Sequence, residues 1–270
     1  MRRRQRTMTE PPEWGRKKLL AALVAGLLTA VVLLVGLGLS IYYYTLPSDS
    51  SRTPDPGARV PAAADPRDQL ADRPMPTAPA DGSRPGPLTT EPFGPLLLPG
   101  ARRLGAADVS TGFPQTEQGA LAQLIAIDQA ALQSASVPGA QAVITAWAVP
   151  GGPTAESWSG VKAIAEMLST ADLPASGSPS LTVSATPEMG LVKGTVGSGY
   201  VVACVDFVVT ATVTTTARVA AADCQRMVWT NDDRAGRWMV GPGPEPAPPP
   251  SVWPGTEAAH SAGYLELTYE

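Results

Sequence analysis

The sequence predicts an α+β protein made of a single N-terminal transmembrane helix, a proline-rich linker, then three helices followed by an antiparallel meander. Three observations carry this. Leu19–Ile41 (LLAALVAGLLTAVVLLVGLGLSI) is a 23-residue stretch without a charge, and about 20 apolar residues suffice to cross a hydrocarbon core about 30 Å thick as a helix. Residues 46–99 hold 13 prolines. Beyond Thr111 apolar residues recur first near helical spacing and then, after Pro174, in alternation.

Residues 1–18 form a basic tail, with Arg2, Arg3, Arg4, Arg6, Arg16, Lys17 and Lys18 against Glu10 and Glu13. Beyond residues 19–41 come Tyr42, Tyr43 and Tyr44, and no further basic residue until Arg52. Basic residues stay on the cytoplasmic side and tyrosines favour the headgroup level, so the N-terminus is expected inside and the rest of the chain extracytoplasmic. The apolar run exceeds that of a cleaved signal peptide and no convincing A-x-A site follows it, which predicts a retained signal-anchor in the cell membrane. Past residue 18 the chain holds 13 basic and 22 acidic residues, a net of −9. That balance argues against direct nucleic-acid binding by the outer domain. Within the span Ala22, Gly26 and Ala30 make a small-xxx-small face, a candidate for self-association, although Ala and Gly are abundant throughout the chain.

Residues 42–110 read as the extracytoplasmic linker, and its proline-rich part, residues 46–99, as a spacer reaching on the order of 150 Å if polyproline-like and about 40 Å if coil-like. Residues 111–240 read as the α+β domain. Thr116–Gln133 places Leu121, Leu124, Ile125 and Leu132 on one helical stripe, interrupted by Asp128. A carboxylate there needs a partner if buried; it reads as locally satisfied or half-exposed, with pocket lining as the alternative. Pro138 opens a second helix, Gly139–Ala148, and Thr154 or Ser157 caps a third that carries Trp158, Val161, Ile164 and Leu168. Leu181–Thr186 and Leu191–Val196 follow as short strands, with a turn at Gly197–Gly199. Tyr200–Val213 then presents an odd-numbered apolar face from Val201 to Val213. Thr216–Thr230 returns, Asn231–Gly236 turns, and Arg237–Val240 pairs back. Residues 241–270 form a proline-rich arm and a helical tail, Thr256–Leu267. Trp253, Tyr264 and Leu265 on that tail are candidate docking residues, either for the domain's own sheet or for a neighbour.

A hairpin turn centred near Thr214 pairs residues whose numbers sum to 428 and sets Cys204 opposite Cys224, the only two cysteines. Opposed positions in an antiparallel pair lie within disulfide reach, and an extracytoplasmic compartment keeps disulfides oxidised. A disulfide is the leading reading, with two buried free thiols as the alternative. No catalytic, cofactor-binding or metal site is expected. The one histidine, His260, lies in the tail, which leaves no Ser-His-Asp or Cys-His arrangement and no zinc set. Asp206 and Asp223 have opposite parity in the register and point to opposite faces. Asp232 and Asp233 read as turn residues.

A basic tail, one span, a spacer, and helices preceding a sheet resemble the bitopic scaffold subunits of conjugation and type IV secretion machines. Within this layout CQRMVWTNDDRAGRWMV (Cys224–Val240) resembles the last hairpin of nuclear transport factor 2-like folds, with Trp229 and Trp238 flanking the turn. SVWPGTEAAHSAGYLEL (Ser251–Leu267) is similar to the ends of small membrane proteins on integrative conjugative elements of high-GC Gram-positive bacteria. The resemblance implies three helices on a curved antiparallel sheet. It also implies a non-enzymatic membrane scaffold that oligomerises with itself and contacts other machine subunits. The long spacer departs from those subunits, whose fold begins soon after the span. Accessory membrane proteins of lipid-import complexes share the layout and form the second reading; a small-molecule pocket enzyme on the same fold is the third. An apolar or filled cone would favour the scaffold, and buried polar groups converging there, Asp128 among them, would favour the enzyme.

Overall fold

The structure, a computed structural model, describes residues 65–231 and 236–270. The basic tail, the predicted span with its Ala22, Gly26 and Ala30 face, the linker as far as residue 64, and Asp232 and Asp233 lie outside the described residues. Among the described residues no helix is long and apolar enough to cross a membrane.

Regular structure begins within the segment expected to be a spacer. The Asp65 side chain accepts from the Arg67 amide at 2.8 Å and caps helix α1 (Pro66–Asp72), whose first turn holds Pro66. Leu70 and Ala71 of α1 are buried with Tyr200 and Val202. Strand β1 (Pro95–Leu98) follows, then β2 (Arg103–Leu104) and β3 (Ser110–Thr111), which pair with each other. The spacer reading is therefore corrected from residue 65 to residue 110. Prolines interrupt regular ladders there, but their neighbours' carbonyls still accept from the rest of the domain. The Ser83 carbonyl accepts from the Ala220 amide at 2.7 Å, the Gly82 carbonyl accepts from Trp253 at 2.7 Å, and Thr89 donates to the Gly255 carbonyl at 2.8 Å. The two proline-rich segments of the chain are thus hydrogen-bonded to each other.

Three helices come next, where the apolar periodicity put them. In α2 (Glu117–Gln133) the Thr116 hydroxyl accepts from the Gly119 amide at 3.0 Å. A side chain at 119 would strike the Pro114 carbonyl, since a Cβ would sit 2.0 Å from that oxygen. Helix α3 (Val137–Trp147) is capped by Ser136 in the same way, with Pro138 in its first turn. Helix α4 (Ser159–Thr170) has no cap from its own N-cap residue, Trp158. Its first amide, Ser159 N, instead donates at 2.8 Å to the carboxylate of Glu245, 86 residues downstream.

The remaining strands, β4 (Thr182–Thr195), β5 (Tyr200–Thr212), β6 (Thr216–Thr230), β7 (Arg237–Val240) and β8 (Leu265–Tyr269), join β1 in one sheet of six in the order β1-β8-β4-β5-β6-β7. Strand β4 is continuous where two short strands were expected; irregularities at Pro187/Met189 and Val192/Gly194 bend it without ending it. It pairs with β5, which pairs with β6, and β7 pairs back on β6. The sheet curves into a half-barrel around the helices. Val201, Ala203, Val205, Phe207 and Val209 of β5 face α2, α3 and α4 in the main core. A fully buried side chain of this kind contributes about 1.5–3 kcal/mol.

The other face of β5 is also buried, because α1 and the C-terminal arm cover it. Arg226, itself buried, ties both to β6: its Nε donates to the Pro244 carbonyl at 2.7 Å and its Nη1 to the Asp68 carboxylate. The expected helical tail Thr256–Leu267 is only partly helix. Helix α5 spans Glu257–Ser261, and Gly263, at φ 82°, ends it. There the Gly263 amide donates to His260 O at 2.9 Å and the Tyr264 amide to Ala259 O at 3.3 Å, the two bonds of a Schellman stop. The freed chain becomes strand β8 (Leu265–Tyr269), parallel to β1 and antiparallel to β4. There it finds two sheet edges, with four register pairs on β1 and two on β4.

Candidate functional site

Cys204 and Cys224 face each other in the β5–β6 register and form a disulfide, with Cα atoms 4.1 Å apart. Met189, Val252, Ala259 and Tyr264 enclose it on the arm-covered face. The pairing numbers sum to 428 along the whole hairpin, from Tyr200↔Val228 to Thr212↔Thr216. The arm that covers the bridge settles the predicted docking residues. Tyr264 is 1% exposed and its hydroxyl donates to the Pro250 carbonyl at 3.1 Å. Leu265 pairs with Gly190, and Trp253 lies under the Arg218 guanidinium, 5.2 Å from the ring centre. All three dock on the domain's own sheet and on segments packed against it.

The helix side of the sheet holds a cavity of about 340 Å³, between α2, the start of α4, β6 and the arm near Glu245. Three carboxylates line it: Asp128, Asp223 and Glu245. Asp223 lies opposite Val205, so it shares the odd-numbered, helix-facing side of the hairpin. Asp206 points to the other face, as its parity requires.

The three acids differ in how well they are paired. Glu245 accepts from the Ser159 amide at 2.8 Å and from Ser159 Oγ at 3.0 Å, completing the helix start. That placement also favours its charge through the helix dipole. Asp223 accepts from Gln225 Nε2 at 2.9 Å and, at a long 3.4 Å, from Ser159 Oγ. Burial raises its pKa to about 6, against the opposing hydrogen bond from Gln225. Asp128 is 4% exposed, and neither of its oxygens has a hydrogen-bond partner. Burial first, then the charges of Asp223 and Glu245, push its carboxyl well above the ordinary range. It is neither locally satisfied nor half-exposed: the interruption in the α2 stripe opens into the cavity. Trp158 Nε1, on the same wall, also lacks a partner.

The sequence marks Asp128 as a carboxylate inside an apolar stripe, and the hairpin parity separates Asp223 from Asp206 without pairing it with Asp128. The signal for grouping Asp223 with Asp128 was present in the 428 register, which places Asp223 on the face the helices cover. Glu245 carries no such signal, since nothing periodic locates a residue inside GPGPEPAPPP. No group of three His, Cys, Asp or Glu able to hold a metal ion occurs among the described residues. No family model matches the chain, and no curated protein or solved structure matches it either.

Proposed function

We propose that the chain is a single-pass membrane subunit with a cytoplasmic N-terminus, whose extracytoplasmic domain is a non-enzymatic binding module in a conjugative DNA-transfer or secretion machine. The observation that carries the binding reading is the cavity into which Asp128, Asp223 and Glu245 converge. A plain scaffold calls for a filled or apolar interior, and a buried, unpaired carboxylate is costly unless something is gained by it. The charge asymmetry of the N-terminus, the disulfide, and helices laid on a curved sheet support the membrane-machine part. Oligomerisation through the span and contact with other subunits belong to the same reading. Because β8 and Tyr264 serve the domain's own sheet, these residues are not available as the contact surface.

The second reading is a pocket enzyme on the same fold, the reading that converging buried polar groups with Asp128 among them were expected to favour. It comes second because the chain's one histidine, His260, lies in the tail and leaves the acids without a histidine partner. It is favoured by Asp223, whose burial raises its pKa to about 6, a value suited to proton transfer near neutrality, beside Asp128, whose carboxyl burial also pushes up. The deciding experiment deletes the gene in its host and measures DNA transfer to recipient cells, protein secretion and lipid uptake. Lost transfer or secretion with normal lipid uptake is expected. Unchanged transfer and secretion would overturn the machine assignment, and lost lipid uptake alone would move the protein to the lipid-import class. Protease added to wall-stripped cells should remove the domain containing Trp158 and Trp238 and spare the N-terminal tail; protection of the domain would overturn the topology.

A further inference from the structure

The cavity's own chemistry narrows its ligand, given that the domain is a binding module. Its titratable lining groups are three acids, Asp128, Asp223 and Glu245, and no Lys, Arg or His lines it. Their pairing is graded. Glu245 is completed by the α4 amide, Asp223 is partly satisfied, and Asp128 has no partner at either oxygen while 96% of its surface is buried. An anion entering this space meets acids on three sides and no positive group, so the electrostatics disfavour it. The wall between the acids is apolar and aromatic, with Trp158, Phe207, Ile164 and Leu132, and prolines of the arm at 246, 248 and 249 close one side. Faces of Trp and Phe attract cations, and aliphatic walls accept a methylene stem. A volume near 340 Å³ lies at the small end of ligand pockets, about 300–1,000 Å³.

We infer that this cavity binds an organic cation, an alkylammonium or guanidinium group on an aliphatic stem, with Asp128 and Asp223 as its ion partners and Trp158 and Phe207 along the stem. Glu245 holds the start of α4 and adds field. Two sources present this chemistry: a free amine or guanidine, and a lysine or arginine side chain of a peptide.

The test uses the full chain, oxidised and in detergent micelles, titrated at pH 8 by calorimetry. The probes are 1,5-diaminopentane and agmatine, the blocked tripeptides Gly-Lys-Gly and Gly-Arg-Gly, and the uncharged 1,5-pentanediol. One saturable site for a cation and none for the diol is expected. Free cations alone binding assigns a small-molecule ligand; tripeptides binding as well assigns a basic side chain. Binding should strengthen from pH 5 to pH 8 as Asp223, raised to about 6 by burial, gives up its proton. Asp128→Asn and Asp223→Asn should each weaken it by about tenfold or more, the loss of one charge-assisted contact. Ala163→Trp changes an exposed residue at the rim and should block entry even if the aspartate variants fold poorly. Diol binding as tightly as diamine would overturn the cation and leave the binding module standing. No saturable binding, or binding indifferent to all three variants, would also overturn the inference, while the gene-deletion experiment judges the module separately.

Discussion

Asp206 offers a direct measure of what the second layer over the sheet costs. It is fully buried beneath the arm, and neither carboxylate oxygen has a hydrogen bond of good geometry, only a loose contact with the Val252 backbone. Burial raises its pKa from 3.8 to about 8, with the Val252 backbone opposing slightly. Below pH 3.8 both folded and unfolded chains hold the proton, and the group adds no slope. Between 3.8 and about 8 the unfolded chain has released it while the folded chain keeps it, so stability falls as pH rises. Above about 8 both are ionised and the slope ends. Each pH unit in that window is worth about 1.4 kcal/mol, so from pH 5 to 8 Asp206 alone removes about 4 kcal/mol. This is an upper figure, since relaxation and water entry soften burial. Asp206→Asn does not titrate. Its buried amide costs about 1–3 kcal/mol at pH 5, and the variant should overtake the parent by pH 8. Urea unfolding of oxidised full chain and variant at pH 5, 6, 7 and 8 measures this. Asp128 and Asp223 tilt both proteins in the same direction, so the difference between the two curves isolates Asp206. A difference that stays constant with pH would refute the reasoning.

Two other outcomes follow from the same packing. Replacing both cysteines (Cys204→Ala with Cys224→Ala) should lower stability by about 3 kcal/mol, from a cross-link spanning 20 residues. Non-reducing mass spectrometry of the parent should show the loss of two hydrogens, and two alkylatable thiols in the native protein would sink the bridge. Deleting residues 251–270 removes β8, Val252 and Tyr264 from over the disulfide. With Val and Tyr each worth about 1.5–3 kcal/mol when fully buried, the domain should lose at least about 3 kcal/mol; unchanged melting would show that the arm does not belong to this core.

Local rules determined much of this protein. The three helices follow from apolar spacing with Thr116 and Ser136 as caps. The β5–β6 hairpin and its disulfide follow from strict alternation and a turn at Thr214, contacts close in sequence whose geometry is set by the period of a strand. Other features depended on segments distant in the chain, and only the tertiary structure decided them. The even face of β5 reads as half-apolar, yet it is buried because α1 and the arm both reach it. No periodicity marks those segments, since proline erases the ladder signal while leaving carbonyls able to bond. The tail reads as helix from Thr256 to Leu267, yet the helix ends at Gly263 and the strand beyond it exists because β4 and β1 offer edges. The cavity arises in the same way: Asp128 lies on α2, Asp223 on β6 and Glu245 in the arm. Pattern within any one segment shows at most a misplaced carboxylate, because the free energy that groups the three is that of packing remote elements together.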